Sequence, residues 1–137
     1  RKIVIESRLP NIFFAYGTEE QLKTFVYDNV NLPFLRFYYR HVHEGARITK
    51  RPLVVPEYQI ESLKIICASE AENIILVPSG VEKFKAGQTV RVIEGVFKGV
   101  IGKVARFQGQ QRIGIVIDGL MTVASAYVPS AFLENII

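Results

Sequence analysis

Few side chains in this sequence are spaced to make or break bonds. His41 and His43 lie two residues apart, so on an extended strand they project from the same side with Glu44 adjacent, the beginning of a metal site. No third and fourth ligand follows at a convincing spacing, and no metal or other cofactor is expected. Cys67, the single cysteine, falls on the apolar stripe of Ile60, Leu63 and Ile66, where a buried thiol is inert more often than nucleophilic. Glu94 and Asp118 stand beside glycines, as carboxylates that serve turns do. With no nucleophile near a base, the chain reads as a binding protein and not an enzyme.

The chemistry that remains is recognition of an anion. The stretch Arg36-Phe37-Tyr38-Tyr39-Arg40-His41, with Arg47, Lys50 and Arg51 nearby, combines cations that pair with phosphate and rings that stack on unpaired bases. Alternation along a strand puts Arg36, Tyr38 and Arg40 on one face. These three, with Lys50 and Arg51, are the candidate nucleic-acid residues, set against the plainer reading of a half-buried strand with a solvated face. Lys98, Lys103, Arg106 and Arg112 are dispersed and read as charges that keep a domain soluble.

The elements that must position these residues follow two periods. Ile3 to Ile5 and Ile12 to Tyr16 read as strands around a turn at Arg8 and Pro10. Thr18 followed by Gln21 is a capping box, and Leu22, Phe25 and Val26 recur at helical spacing, which predicts a helix over 19–28. The aromatic run predicts a strand from Phe34 to Val42, then a polar, basic loop from His43 to Arg51. Pro56 opens a second helix that ends near Ala68. After Gly80 the helical period vanishes. Short β-rich segments, 89–93, 100–107, 112–117 and 121–128, alternate with glycines as in a small barrel.

At 137 residues with 49% hydrophobic and 22% charged side chains, the chain is long and apolar enough to fold as one domain or two small ones. Its formal charge of +4 permits a polyanion partner without demanding one. A lone cysteine excludes an internal disulfide, and no N-glycosylation sequon or long apolar run occurs, so a soluble, cytoplasmic protein with no membrane partner is expected. The start without methionine, directly in an apolar alternating run, reads as a fragment whose natural N-terminus lies upstream.

One local pattern is specific. Phe84, Gly87, Val90, Arg91, Val92, Gly95, Phe97, Gly99, Gly102 and Val104 form a spaced series in which the glycines suit turns or close backbone approach and the valines point inward. It is not a P-loop: Phe97 stands where the first glycine belongs and Val104 follows Lys103 in place of Ser or Thr. The series resembles the KOW motif, the strand-loop-strand signature of SH3-like barrels in NusG-family elongation factors and some ribosomal proteins. Upstream, Leu9-Pro10-Asn11-Ile12-Phe13-Phe14 resembles that family's Pro-Gly-Tyr-Val strand, and Pro52-Leu53-Val54-Val55-Pro56 its approach to the last N-terminal helix. The stretch from Ile115 to Met121 and from Ala126 to Glu134 is similar to the specialised UpxY-like antiterminators. Asp118-Gly119-Leu120 replaces the Phe-Gly-Arg loop through which the housekeeping factor engages Rho or a ribosomal protein. The family's first strand and helix, with their Trp-Tyr pair, have no counterpart, since the chain lacks tryptophan.

The resemblance implies an α+β NGN-like domain over 1–69, truncated at its N-terminus, a linker over 70–82 and an all-β SH3-like KOW barrel over 83–137. It implies a monomeric transcription elongation and antitermination factor that binds the clamp helices of RNA polymerase. The corresponding apolar patch is Leu9, Ile12 and Phe14, with Phe13 on the opposite face by alternation, and the plainer reading of the same residues is sheet core. Non-template DNA or nascent RNA would pass near Arg36, Tyr38, Arg40, Lys50 and Arg51, and a further protein would bind the barrel. Two alternatives are a structural RNA-binding module of the ribosomal KOW type and a generic SH3-like protein-interaction module.

Overall fold

The computed structural model describes residues 12, 14–28, 31, 33–69, 74–77, 82–117 and 120–136. Contacts divide the chain into two units, Arg1–Val54 and Val55–Ile137. The described residues form a mixed α and β structure with antiparallel sheets and three α-helices. The contact boundary thus falls ahead of the second helix, which the sequence reading places in the first domain.

In the first unit, helix α1 (Glu19–Tyr27) begins at the expected capping box. The Gln21 amide N–H donates to Thr18 Oγ1 at 3.2 Å, and the Thr18 N–H donates to Gln21 Oε1 at 3.1 Å, so two orphan donors of the first turn are satisfied. Strands β1 (Tyr39–Glu44) and β2 (Arg47–Pro52) pair antiparallel around Gly45 and Ala46. Gly45 has φ +61° while Ala46 keeps a negative φ, the type II′ arrangement whose twist matches the strands it joins. Edge-to-face rings connect helix to hairpin: Tyr27 meets Phe37 at 5.7 Å between centroids, and Phe37 meets Tyr39 at 6.1 Å. The two phenol oxygens of Tyr27 and Tyr39 lie 2.5 Å apart.

Three expectations for this unit are corrected. The strand expected from Phe34 to Val42 starts at Tyr39, because Pro33 and Phe34 belong to a turn. The loop expected from His43 to Arg51 is most of a hairpin, whose strands alternate no apolar residues because both faces meet solvent. Residues 12 and 14–16 are not strand and pair with no described residue, whereas Ile3 to Ile5 lie outside the described residues.

The second unit is built on a six-stranded antiparallel sheet in the order β3-β7-β6-β5-β4-β8. Its strands are β3 (Ile75–Val77), β4 (Thr89–Val92), β5 (Ile101–Phe107), β6 (Gln110–Ile117), β7 (Met121–Ala124) and β8 (Leu133–Asn135). The four strands expected after residue 88 are present, and β3 arises inside the segment read as a linker. Helix α3 (Glu82–Lys85) was not legible, since four residues are too short to display a period. Its Phe84 is fully buried, its ring tilted against Phe107 at 5.7 Å and filling the space that Gly114 leaves on β6. Val90, Val92, Val100, Ile113, Ile115 and Val123 complete this core, each worth about 1.5–3 kcal/mol of burial. Strand β7 ends sooner than expected because the chain takes in an extra residue. Ser125 N–H donates to Ile113 O at 2.9 Å, but Val128, not Tyr127, donates to Gln111 O at 3.0 Å.

Helix α2 (Glu57–Ala68) packs on this sheet. Leu63 and Ile66 are buried, and two polar side chains reach the sheet backbone where β5 and β6 have left their ladder. Ser62 Oγ accepts from Ile101 N–H at 3.0 Å and donates to Ile101 O at 3.3 Å. Gln59 Nε2 donates to Val116 O at 2.8 Å. Backbone groups that would otherwise be orphaned are therefore satisfied by the helix.

Candidate nucleic-acid interface

The hairpin holds most of the chain's excess positive charge. Arg40, Arg47, Lys50 and Arg51 lie on its two strands against one carboxylate, Glu44, in a chain whose formal charge is +4. Register fixes which of them share a face. Arg40 is opposite Arg51, Val42 opposite Thr49 and Glu44 opposite Arg47, so these six form one face. Tyr39, His41, His43, Ile48, Lys50 and Pro52 form the other. Among the described residues, one cation has an ion-pair partner here: Arg51 Nη2 reaches Glu44 Oε1 at 3.2 Å, with both side chains at least half exposed. An exposed pair of this kind contributes little to stability and leaves Arg51 able to exchange partners.

The candidates named from the sequence are only partly brought together. Arg40 and Arg51 are cross-strand neighbours, beside a shallow hollow of about 470 Å3 that His43 also lines. Lys50 lies on the opposite face, its Nζ 5.5 Å from the centre of the Tyr39 ring. Arg36 does not join Arg40, because it precedes the strand and its Nη1 donates to the carbonyls of Leu35 at 2.8 Å and Pro33 at 3.2 Å. Tyr38 is half exposed just before β1, where its carbonyl accepts from Leu53 N–H at 2.7 Å. Arg47, outside the candidate set, belongs to the same face as Arg40 and Arg51. Glu44-Gly45-Ala46-Arg47, a glycine between opposite charges, is the sequence signal for the turn that puts it there.

Tyr27, at the other end of the ring cluster, has its pKa raised above 10.0, chiefly by the hydrogen bond to Tyr39, which favours the neutral phenol. Of the apolar patch, Ile12 and Phe14 are half-buried and Leu9 lies outside the described residues. The glycine and valine series occupies α3, β4, β5 and the turn between the strands. Val90, Val92 and Phe97 are buried and Val104 half-buried, whereas Arg91 is exposed and bonded to Glu134 at 3.4 Å. Gly95 and Gly99 have φ of +88° and +97°, and Gly87 and Gly102 face backbone carbonyls too close to admit a Cβ.

Among the described residues no three His, Cys, Asp or Glu side chains are grouped to hold a metal ion, and no helix is long and apolar enough to cross a membrane. No family model, curated protein or solved structure matches this chain.

Proposed function

We propose that this chain is a non-enzymatic transcription elongation factor of the NusG type, a specialised, operon-directed antiterminator of the bacterial cytoplasm. In this reading it comprises an NGN-like unit and a KOW-type SH3-like barrel. The observation that carries the reading is the fit between the glycine series and the backbone. Each of its four glycines occupies a position that a Cβ would strain or block, and the intervening strands are consecutive, antiparallel neighbours. Strands β4, β5, β6 and β7 follow one another as antiparallel neighbours with β8 beside β4 and β3 beside β7, an all-β arrangement compatible with assigning the motif to KOW.

On this reading function is binding, with no bond made or broken and no cofactor needed. Ile12 and Phe14, with Leu9, supply apolar anchors for the polymerase clamp helices, and a few such anchors carry most of an interface of this kind. Holding the clamp closed makes pausing and termination less frequent. The basic hairpin would lie near non-template DNA or nascent RNA, and the barrel would be free to recruit a further protein.

Single-round transcription over an intrinsic terminator, with bacterial core polymerase and increasing amounts of the protein, tests the proposal. Read-through should rise saturably with the wild-type chain and not with Ile12→Glu. A folded wild-type chain that changes neither read-through nor pause lifetime would contradict it.

A further inference from the structure

The hairpin's two-sidedness calls for a ligand with two walls. Of its twelve strand residues only Val42, Thr49 and Pro52 are half-buried and the rest are exposed. Arg40 faces Arg51 across the ladder. Like charges directly opposite each other destabilise a strand pair, and a bound anion removes that penalty. Cations are carried on both faces: Arg40, Arg47 and Arg51 on one, Lys50 on the other. A flat anionic surface, such as a bilayer, can meet one of these faces but not both.

We infer that the β1–β2 hairpin binds duplex DNA by entering the major groove as a two-faced ribbon, each face meeting one of the phosphate walls. The groove, about 12 Å wide, admits a two-stranded β-ribbon, whereas the major groove of A-form RNA is too narrow for one. Six residues per strand give a ribbon roughly 20 Å long, enough to follow the groove for about half a helical turn. At the tip, Ile48 is 62% exposed and able to touch a thymine methyl group. Single-stranded nucleic acid fits less well, because stacking needs successive free rings. The Tyr39 ring is engaged by Phe37 at its edge and lies under Lys50, and its hydroxyl is held by Tyr27.

The test uses the full chain and no polymerase, so its failure leaves the elongation-factor reading standing and its success does not require that reading. Fluorescence anisotropy is measured with a labelled mixed-sequence DNA duplex, the same sequence as single-stranded DNA, an RNA duplex, and vesicles rich in phosphatidylserine. Three to four phosphates neutralised give a log–log salt slope of about −2.7 to −3.6, hence a fall in duplex affinity of roughly 40- to 150-fold between 50 and 200 mM salt. Arg40→Ala and Lys50→Ala, from opposite faces, should each bring the slope about 0.9 closer to zero. Glu44→Gln, which releases Arg51, should tighten binding. All three positions are exposed, so a thermal melt matching the parent's shows that the fold is kept. Loss on Arg40→Ala with no change on Lys50→Ala would mean a one-faced contact and would overturn the inference. So would single-stranded DNA, RNA duplex or vesicles binding as tightly as the DNA duplex.

Discussion

Gly102→Ala isolates the demand for space that the glycine series makes. A Cβ at this position would sit 2.6 Å from Gly114 O, 2.9 Å from Ile113 Cγ2 and 3.0 Å from Ile115 Cδ1. The first of these is roughly 0.8 Å inside the 3.4 Å at which ordinary contact begins. The obstructing carbonyl belongs to β6, which the ladder fixes beside β5 through the Lys103–Gly114 pairing, so it cannot swing away as a side chain would. Overpacking costs about 1–3 kcal/mol, and a backbone obstacle places this case near 3 kcal/mol. For a unit of this size, that lowers Tm by about 12–24 °C. Gly109→Ala is the control. Gly109 has φ +77° but nothing within 4 Å of its Cβ position, so alanine there meets only the left-handed backbone cost, about 1–2 kcal/mol. Calorimetric melts of the parent and both variants decide the matter. If Gly102→Ala melts within about 2 °C of the parent, or is less damaging than Gly109→Ala, the close-approach argument is wrong.

Other perturbations address separate contacts. Ser62→Ala leaves the Ile101 N–H without its acceptor in a site that is 1% exposed, and should cost about 1–3 kcal/mol, seen as a lower urea midpoint at unchanged m-value; an unmoved midpoint would contradict the docking of α2. Arg112, 5% exposed, donates to Phe107 O at 3.1 Å, Ser125 O at 3.0 Å and Gln110 Oε1 at 3.3 Å, a fork that lysine cannot reproduce. Arg112→Lys should therefore destabilise by at least about 2 kcal/mol in the same denaturation, and full stability would refute that role. Tyr39→Phe should bring the ionisation of Tyr27 back toward 10.0 in an alkaline absorbance titration. Because the folded-state pKa is raised, the stabilisation linked to it is complete below 10.0 and fades as pH rises through the folded value. A titration curve indifferent to Tyr39→Phe would show that the phenol pair does not form.

Legibility in the sequence followed the range of the interactions. The capping box at Thr18 and Gln21 and the stripe that ends in Ile66 are local patterns, so α1 and α2 are readable from neighbours in the chain. The strands β4, β5 and β6 are marked by glycines and β-branched residues, and their bounds fall close to those expected, whereas β7 stops at Ala124 and β8 lies beyond the expected segments. The hairpin was hidden because a ribbon exposed on both faces carries no apolar alternation; only Gly45 between Glu44 and Arg47 announced it. The docking of α2 was hidden for another reason. Ser62 and Gln59 carry no apolar signal, and the distant backbone of Ile101 and Val116 gives them partners. Of the candidate interface, Arg40 and Arg51 came together through pairing register, which no local window contains, and Arg36 turned back onto its own loop.

The proposed binding of RNA polymerase rests on the apolar patch of Leu9, Ile12 and Phe14. The most direct test is a titration of the protein against bacterial core polymerase at low and moderate salt, with Ile12→Glu alongside and both proteins shown to be folded. Saturable binding by the parent should persist at moderate salt, and the substitution should weaken it markedly because it forces a charge into a dry contact. No binding by the folded parent, or equal binding by a folded Ile12→Glu, would contradict it.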